Sequence, residues 1–540
     1  MNTRAASFAR RLFYVWRLIV LKAHIALSDL ALNAQWIHGS IALGESQITP
    51  YPHRMLETVF VRTEGQWFVA VRERLASRAF DASATNRVTG IDEFNRLYQE
   101  CLLWPLDYVM IEVAQEGCRM KVRAGVFGTV PLYFRAFSDR INLSWDPGDM
   151  LVGPLAIDVE MASHRLSLHS MYAARQLTVG VTLLTERASL YVEPGKISYR
   201  YPAPVEETVP APLPKGRDAL AMFGEQLQRA VSVRPMGEGQ VSAELSGGMD
   251  SATVACALAE SHGHMESLGI LLDGDTRHSQ EQRRRQIASR LGLRDHTVEM
   301  AAHPPYTDAQ PKPGQLPRLY WEYYLEPSIA LWDQSRERGC DTLFTGIGGD
   351  ELFPYYHDET RAGHVEEWRS EAPRYAERLL TPRAWSAANS LHNFEAPASP
   401  VPASVLLAHA SRTPDMLRHG LWPINPLSNP NLVAFCHQLP TEHRSGREIM
   451  RQYLRSHLGE EIFSHGYIKE SFAHVLPHAI ARHAGTIAAQ LRECVLADLG
   501  LVQPKAVLEL LQMVTATRAP VPTAVLASFL WLERLARQVS

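Results

Sequence analysis

Eight consecutive residues, Glu244-Leu245-Ser246-Gly247-Gly248-Met249-Asp250-Ser251, bring two serine hydroxyls, two glycines and the Asp250 carboxylate together. A strand-like run, Gln240 to Leu245, leads into them, and a helical run over Ser251 to Ser261 follows. Glycines let backbone approach an anion closely, and a helix start offers unpaired N–H groups at the positive end of its dipole. Such a turn is built to hold a polyphosphate. Asp250 does not suit an anion directly; its expected role is to hold a Mg²⁺ that bridges phosphates.

A second turn, Thr345-Gly346-Ile347-Gly348-Gly349-Asp350-Glu351-Leu352-Phe353, follows another strand-like run, Asp341 to Thr345. Ligands of open α/β sheets bind at such carboxyl edges. Two carboxylates from separate strand ends, Asp250 and Asp350, make a Mg²⁺-pyrophosphate clamp. A third feature is Lys469 in Tyr467-Ile468-Lys469-Glu470-Ser471-Phe472. Alone, a lysine in a polar stretch reads as a solvated charge.

These turns need a scaffold, and the spacing supplies one. Helical patterns over Asp218–Val231, Ser251–Ser261, Gln280–Leu291 and Pro327–Arg338 alternate with strand runs over Gln240–Leu245, Glu266–Leu272, His296–Met300 and Asp341–Thr345. That alternation predicts a doubly wound parallel sheet, followed from about Pro382 by mostly helix. Upstream, Gln66–Val71, Tyr108–Val113, Arg119–Ala124 and Arg140–Leu143 are short strand-like runs, predicting layered antiparallel sheet with some helix. Between the two parts, Tyr201 to Lys215 carries five prolines and reads as an extended linker.

The 540 residues carry a net charge of -4, which argues against a general nucleic-acid binder. The six cysteines lie far apart with no CxxC pair, which argues against a disulfide scaffold and fits a reducing cytoplasm. No run reaches the roughly 20 apolar residues of a membrane span. The basic start (Arg4, Arg10, Arg11, Arg17, Lys22) reads as an amphipathic or buried element, with a signal peptide or weak peripheral membrane contact as the alternatives. Arg283-Arg284-Arg285 is expected on a solvated helix face, a place near phosphate being the alternative. His474 and His478 have i, i+4 spacing without a third ligand, so zinc is not expected. Trp321, Tyr323, Tyr324 and Trp332 fit either core or the wall of a peptide tunnel.

The first turn resembles the SGGxDS pyrophosphate loop of the N-type ATP pyrophosphatases, which cut ATP between the α and β phosphates and transfer AMP. Together with the second turn and Lys469-Glu470-x-Phe472, it resembles the asparagine synthetase family. The likeness extends to Ala124–Tyr133, Ile141–Leu151, the Glu193-Pro194-Gly195 turn and Pro426–Pro440. It implies a class II glutaminase-like (Ntn-type) α+β domain over residues 1–203, a linker over 204–216, and a HUP-like ATP pyrophosphatase domain with a helical end over 217–540. It also implies that Leu245, Ser246, Gly247, Gly248, Asp250, Ser251, Ile270, Leu271, Thr345, Gly346 and Gly348 hold ATP. Asp250 and Asp350 would hold Mg²⁺, and Lys469, Asp350 and Glu351 would serve catalysis, the lysine lying over the acyl-adenylate.

Two departures stand out. A class II glutaminase uses a cysteine exposed at the N-terminus; position 2 here is Asn2, and the first cysteine is Cys101. Position 347 is isoleucine, where asparagine synthetase has Glu and β-lactam synthetase a dyad Tyr, so the general base is left between Glu351 and an adenylate oxygen. A member that keeps adenylation but lacks glutaminase chemistry resembles the lasso-peptide macrolactam synthetases. These join an Asp or Glu side chain of a precursor peptide to its own N-terminal amine, alongside a leader-peptide protease and a leader-recognition partner. A small-molecule amide or β-lactam synthetase, an asparagine synthetase and a non-catalytic peptide- or nucleotide-binding scaffold are the competing readings.

Overall fold

The computed structural model describes residues 20–539 apart from 79–84, 154, 169–171, 207, 208, 210, 214, 215, 238, 239, 264, 275, 354–363, 391, 393, 464–469 and 471. The basic start up to Arg17 and Lys469 therefore lie outside the described residues.

The N-terminal part builds two seven-stranded sheets. Their pairings are antiparallel except for the edge pair Leu56–Thr63 with Arg87–Val88. Strand Gln66–Glu73 shows how the layers form. Successive side chains alternate across a sheet, and here both faces are covered. Trp67, Val69 and Val71 enter the core shared by the two sheets, while Phe68 and Ala70 meet Phe94 and Leu97 of helix Ile91–Leu102. The four strand runs expected from the sequence all form, each extended by up to two residues.

The C-terminal part carries a five-stranded, all-parallel sheet in the spatial order Arg294–Glu299, Glu266–Leu271, Val241–Glu244, Thr342–Phe344, Trp422–Ile424. Helices cover both faces. Helices Ala219–Ser232, Met249–His262 and Glu448–Leu458 pack with Val241 and Ala243, while Leu325, Leu331 and Trp332 of helix Leu325–Glu337 pack with Leu268 and Leu343. Chain direction across the sheet reverses between Val241–Glu244 and Thr342–Phe344. That is the switch point at which ligands of such sheets bind. The fifth strand, Trp422–Ile424, was not expected from the sequence. Three residues containing Pro423 give no period-2 signal, and the proline is tolerated because the strand sits at the sheet edge.

Buried charge ties the two parts together. The Glu73 carboxylate accepts from Arg234 Nε (2.7 Å) and Nη2 (2.6 Å), from Trp422 Nε1 (2.8 Å) and from the backbone N–H of Asp107 (3.1 Å). Arg54 Nε reaches both oxygens of Asp341 at 2.8 Å. Within the proline-rich stretch, Val205 N–H donates to Ala398 O and Ala211 N–H to Gln438 O, so its described residues follow the surface rather than stand free.

Candidate active site

The first turn leaves strand Val241–Glu244 and closes on itself. Ser251 Oγ lies 3.0 Å from Ser246 Oγ and accepts from Ser246 N–H at 3.1 Å, while Ser246 Oγ accepts from Gly248 N–H at 3.2 Å. Gly247 has φ +92°, a conformation that favours glycine. Helix Met249–His262 begins at Gly248 without a side-chain cap, leaving its first N–H groups to a ligand. Leu245 is fully buried, and its N–H donates to Leu268 O at 2.7 Å. Gln280 fixes the adjoining strand end: Nε2 donates to Ser246 O (2.8 Å) and Ile270 O (3.0 Å), and Oε1 accepts from Leu272 N–H (3.0 Å). Ile270 and Leu271 are thereby held beside the serine turn.

The second turn approaches the first through its glycines. A Cβ at Gly346 would stand 2.9 Å from Ser251 N, and one at Gly349 only 2.3 Å from Asp250 Cγ. Gly348, at φ +103°, starts the short helix Gly349–Leu352 that carries Asp350 and Glu351. Thr345 is fully buried; its hydroxyl donates to Asn425 Oδ1 at 2.5 Å and accepts from Ile347 N–H at 3.2 Å. Asn425 Nδ2 donates in turn to His409 Nε2 (2.9 Å), whose Nδ1–H donates to Gly128 O (3.1 Å). A continuous buried relay thus runs from the Phe127-Gly128-Thr129 turn of the N-terminal part to the Thr345-Gly346 turn. It requires neutral His409, and burial lowers that imidazole to about 4.

Asp250 and Asp350 meet on one cation. Arg447, fully buried, donates through Nη1 to Asp250 Oδ1 at 2.6 Å and through Nη2 to Asp350 Oδ1. Two carboxylates that share one guanidinium converge on a single point, and such a donor set also fits a hard divalent ion completed by phosphate oxygens. Arg447 was not among the residues singled out from the sequence. A signal was present: Arg447 and Arg451 fall on the apolar face formed by Met450, Leu454 and Leu458, where an arginine needs an anionic partner. The φ of Arg447 is +57°, a left-handed conformation uncommon for a non-glycine residue.

The arginine run corrects the expectation of a solvated face. Arg283 and Arg284 are buried, and only Arg285 lies outside. Arg283 Nε donates to Gly247 O at 3.2 Å, and the same side chain pairs with Glu470, next to Lys469 in the chain. Arg284 pairs with Asp295 at 2.5 Å and donates to His296 O at 2.9 Å. Charge on a helix face reads as solvated unless the strand ends beneath offer carbonyls, and that depends on tertiary placement. Glu351 accepts from Ser404 Oγ at 2.6 Å. Ile347 is half-buried against the helical C-terminal core. The aromatic group divides: Trp332 is core, whereas Trp321 and Tyr323 stack at 3.9 Å ahead of the helix and Tyr324 stacks on Phe472 at 4.0 Å. Cys101 is buried and its thiol is pushed up to about 11, mainly by loss of solvent. Among the described residues there is no cluster of metal-ligating side chains of three or more, His474 and His478 included, and no helix long and apolar enough to cross a membrane.

Two solved structures resemble parts of the chain. One is the allosteric regulatory enzyme of purine biosynthesis, at 12% identity over 62% of this chain and 85% of that one, with a TM-score of 0.23. The other is glutamine phosphoribosylpyrophosphate amidotransferase from B. subtilis complexed with ADP and GMP, at 11% identity over 63% and 88%, with a TM-score of 0.21. No curated protein matches. The family model for asparagine synthase matches residues 222–533, more than half of the chain and both turns at the sheet switch point. The chain belongs to the asparagine synthase family, whose members are ATP-dependent, AMP-forming ligases that make amide bonds.

Proposed function

We propose that this ligase is a lasso-peptide macrolactam synthetase: it adenylates an Asp or Glu side chain of a precursor peptide and closes an isopeptide ring with the peptide's N-terminal amine. The observation that carries the reading is the convergence of two carboxylates beside the serine turn, in a chain whose first cysteine is shut away from solvent. Asp250 and Asp350 share Arg447 beside the serine turn, while Cys101 is buried and its thiol is held protonated by loss of solvent. An activated carboxyl then has to meet an amine that another molecule, or the same guest, supplies. Half-buried Ile347, without a proton-transferring group, disfavours the β-lactam-forming alternative.

In this reading the uncapped start of helix Met249–His262 and the Ser246 and Ser251 hydroxyls bind the β,γ-phosphates. Leu245, Ile270, Leu271, Thr345 and Gly346 line the adenosine. Asp250 and Asp350 would hold Mg²⁺, which supplies charge neutralisation on the leaving pyrophosphate. Arg447 ties the same two carboxylates together from the protein side. Arg283, bonded to Gly247 O and paired with Glu470, brings a cation to the serine turn, and Lys469, the residue before Glu470, would lie over the acyl-adenylate by the family likeness. The residue 1–203 part serves as a scaffold and docking surface for a leader-recognition partner, a separate protease frees the amine, and the reaction belongs in the cytoplasm.

The test is incubation with Mg²⁺-ATP and synthetic peptides bearing a free N-terminal amine and one internal Asp or Glu. The expected product has lost one water and resists N-terminal sequencing, with AMP and pyrophosphate released in step. Amide formation only from free aspartate and ammonia, or only within a small amino acid, would replace the peptide reading.

A further inference from the structure

Glu322 belongs to none of the groups assigned above. It lines a narrow cavity of about 40 Å³, walled also by Trp321, Tyr323, Leu476, Trp531 and Arg534. A water needs roughly 10–15 Å³ on this measure, so the space suits a small polar head such as an amino group rather than a whole residue. Two contacts place it beside the chemistry. Arg412 Nη2 donates to Glu244 Oε1 at 2.7 Å, two residues before Ser246, and Arg412 Nε lies 3.8 Å from Glu322 Oε2. On the other side, Tyr324 Oη donates to Phe472 O at 3.3 Å, three residues after Lys469. Glu322 therefore lies one arginine away from the strand end that feeds the phosphate turn, and two residues before the tyrosine that reaches Phe472.

Its bonding differs from that of the buried structural carboxylates of the protein. Asp415 takes both nitrogens of Arg318 and a 2.8 Å bond from Arg418. Glu73 accepts four bonds. Besides the backbone N–H of Tyr324, the Glu322 carboxylate has one long side-chain bond, from Ser411 Oγ at 3.5 Å, and the Arg412 Nε beside it makes no hydrogen bond. Its side chain keeps 16% exposure, enough to exchange a proton with the cavity. We propose that this cavity receives the attacking amine and that Glu322 is the general base of the amide-forming step, the role that Ile347 cannot fill. This rests on the peptide-ligase reading above. The amine lone pair forms the new N–C bond, and the C–O bond to the α-phosphate breaks with its electrons leaving on AMP. The surplus proton on nitrogen passes to a Glu322 oxygen and from there to solvent. Burial pushes the Glu322 carboxyl above the usual range and the Glu244 charge adds to this, while Arg412, the Tyr324 N–H and Arg318 pull it back. The net displacement is toward a basicity useful against an amine.

Three readouts separate the possibilities for Glu322→Gln, which keeps size and polarity. With a synthetic peptide carrying a free N-terminal amine and one Asp or Glu, pyrophosphate exchange reports adenylation. Added hydroxylamine traps the acyl-adenylate without needing a base, and mass spectrometry reports ring closure. Expected are exchange and hydroxamate within about twofold of the parent, with ring closure down roughly 10²–10⁴-fold. Glu322→Asp should recover part of that loss, with its pH–rate limb displaced. Ring closure undiminished in the Gln variant overturns the base. So does a parallel fall in all three readouts, which marks a structural role. A parent that shows no exchange with any peptide defeats the ligase reading instead, a result distinguishable from both.

Discussion

Replacing Gly349 by alanine tests the two-carboxylate clamp without removing any charge. The added Cβ would stand 2.3 Å from Cγ and Oδ1 of Asp250 and 2.6 Å from its Cβ, where ordinary contact begins near 3.4 Å. The carboxylate must therefore retreat by about 1 Å. Asp250 sits in the first turn of helix Met249–His262, so the backbone cannot yield without moving the phosphate turn. Overpacking of this kind costs about 1–3 kcal/mol of stability, tolerable for a protein of this size. A 1 Å error in positioning costs roughly 10²-fold in rate. We expect a folded protein whose ATP binding needs several-fold more Mg²⁺ and whose pyrophosphate exchange falls about 100-fold. Calorimetric titration with ATP at graded Mg²⁺ reads the first effect in the absence of any peptide. A variant with parental circular dichroism and parental Mg²⁺ dependence would refute the claim that Asp250 and Asp350 act as one clamp.

Other expectations follow from the same contacts. Arg447→Leu leaves Asp250 and Asp350 facing each other; because their side chains are 18% and 46% exposed, the loss is discounted to about 2–3 kcal/mol. Chemical denaturation should show that loss without ligand and partial recovery in Mg²⁺-ATP; an equal loss under both conditions would count against the clamp. Gln280→Ala removes three bonds that pin Ser246, Ile270 and Leu272. About 2–4 kcal/mol of stability and a raised KM for ATP are expected, and an unchanged KM would dissociate Gln280 from the nucleotide site. His409 has a folded pKa of about 4, below its ordinary 6.5. Its contribution is therefore complete above about pH 6.5 and is lost as pH falls toward 4, up to about 3 kcal/mol. His53, donating to Asp341 O and also lowered to about 4 by burial, acts in the same direction. His409→Gln should flatten the stability–pH curve in that window; a curve of parental slope would show that the relay does not titrate.

The amino-acid order alone announced both turns, since Ser-Gly-Gly after a strand and Gly-Gly-Asp-Glu after another are local patterns of turn and helix-start chemistry. Alternation of period 3.6 and period 2 likewise marked four of the five parallel strands and the helices between them. Those signals depend only on neighbours in the chain. Tertiary structure decided the rest. Trp422–Ile424 became a strand because a sheet edge was open to it, not because three residues with a proline prefer one. Arg283 and Arg284 turned inward because carbonyls and carboxylates from separate strands met their helix there. Arg447 answers two acids about a hundred and two hundred residues away, and Gly128 is linked to the Thr345 turn through His409 and Asn425. Desolvated charge is affordable only where an opposite charge or dipole has been brought to it, and which partner arrives is a property of the fold, invisible to any local window of sequence.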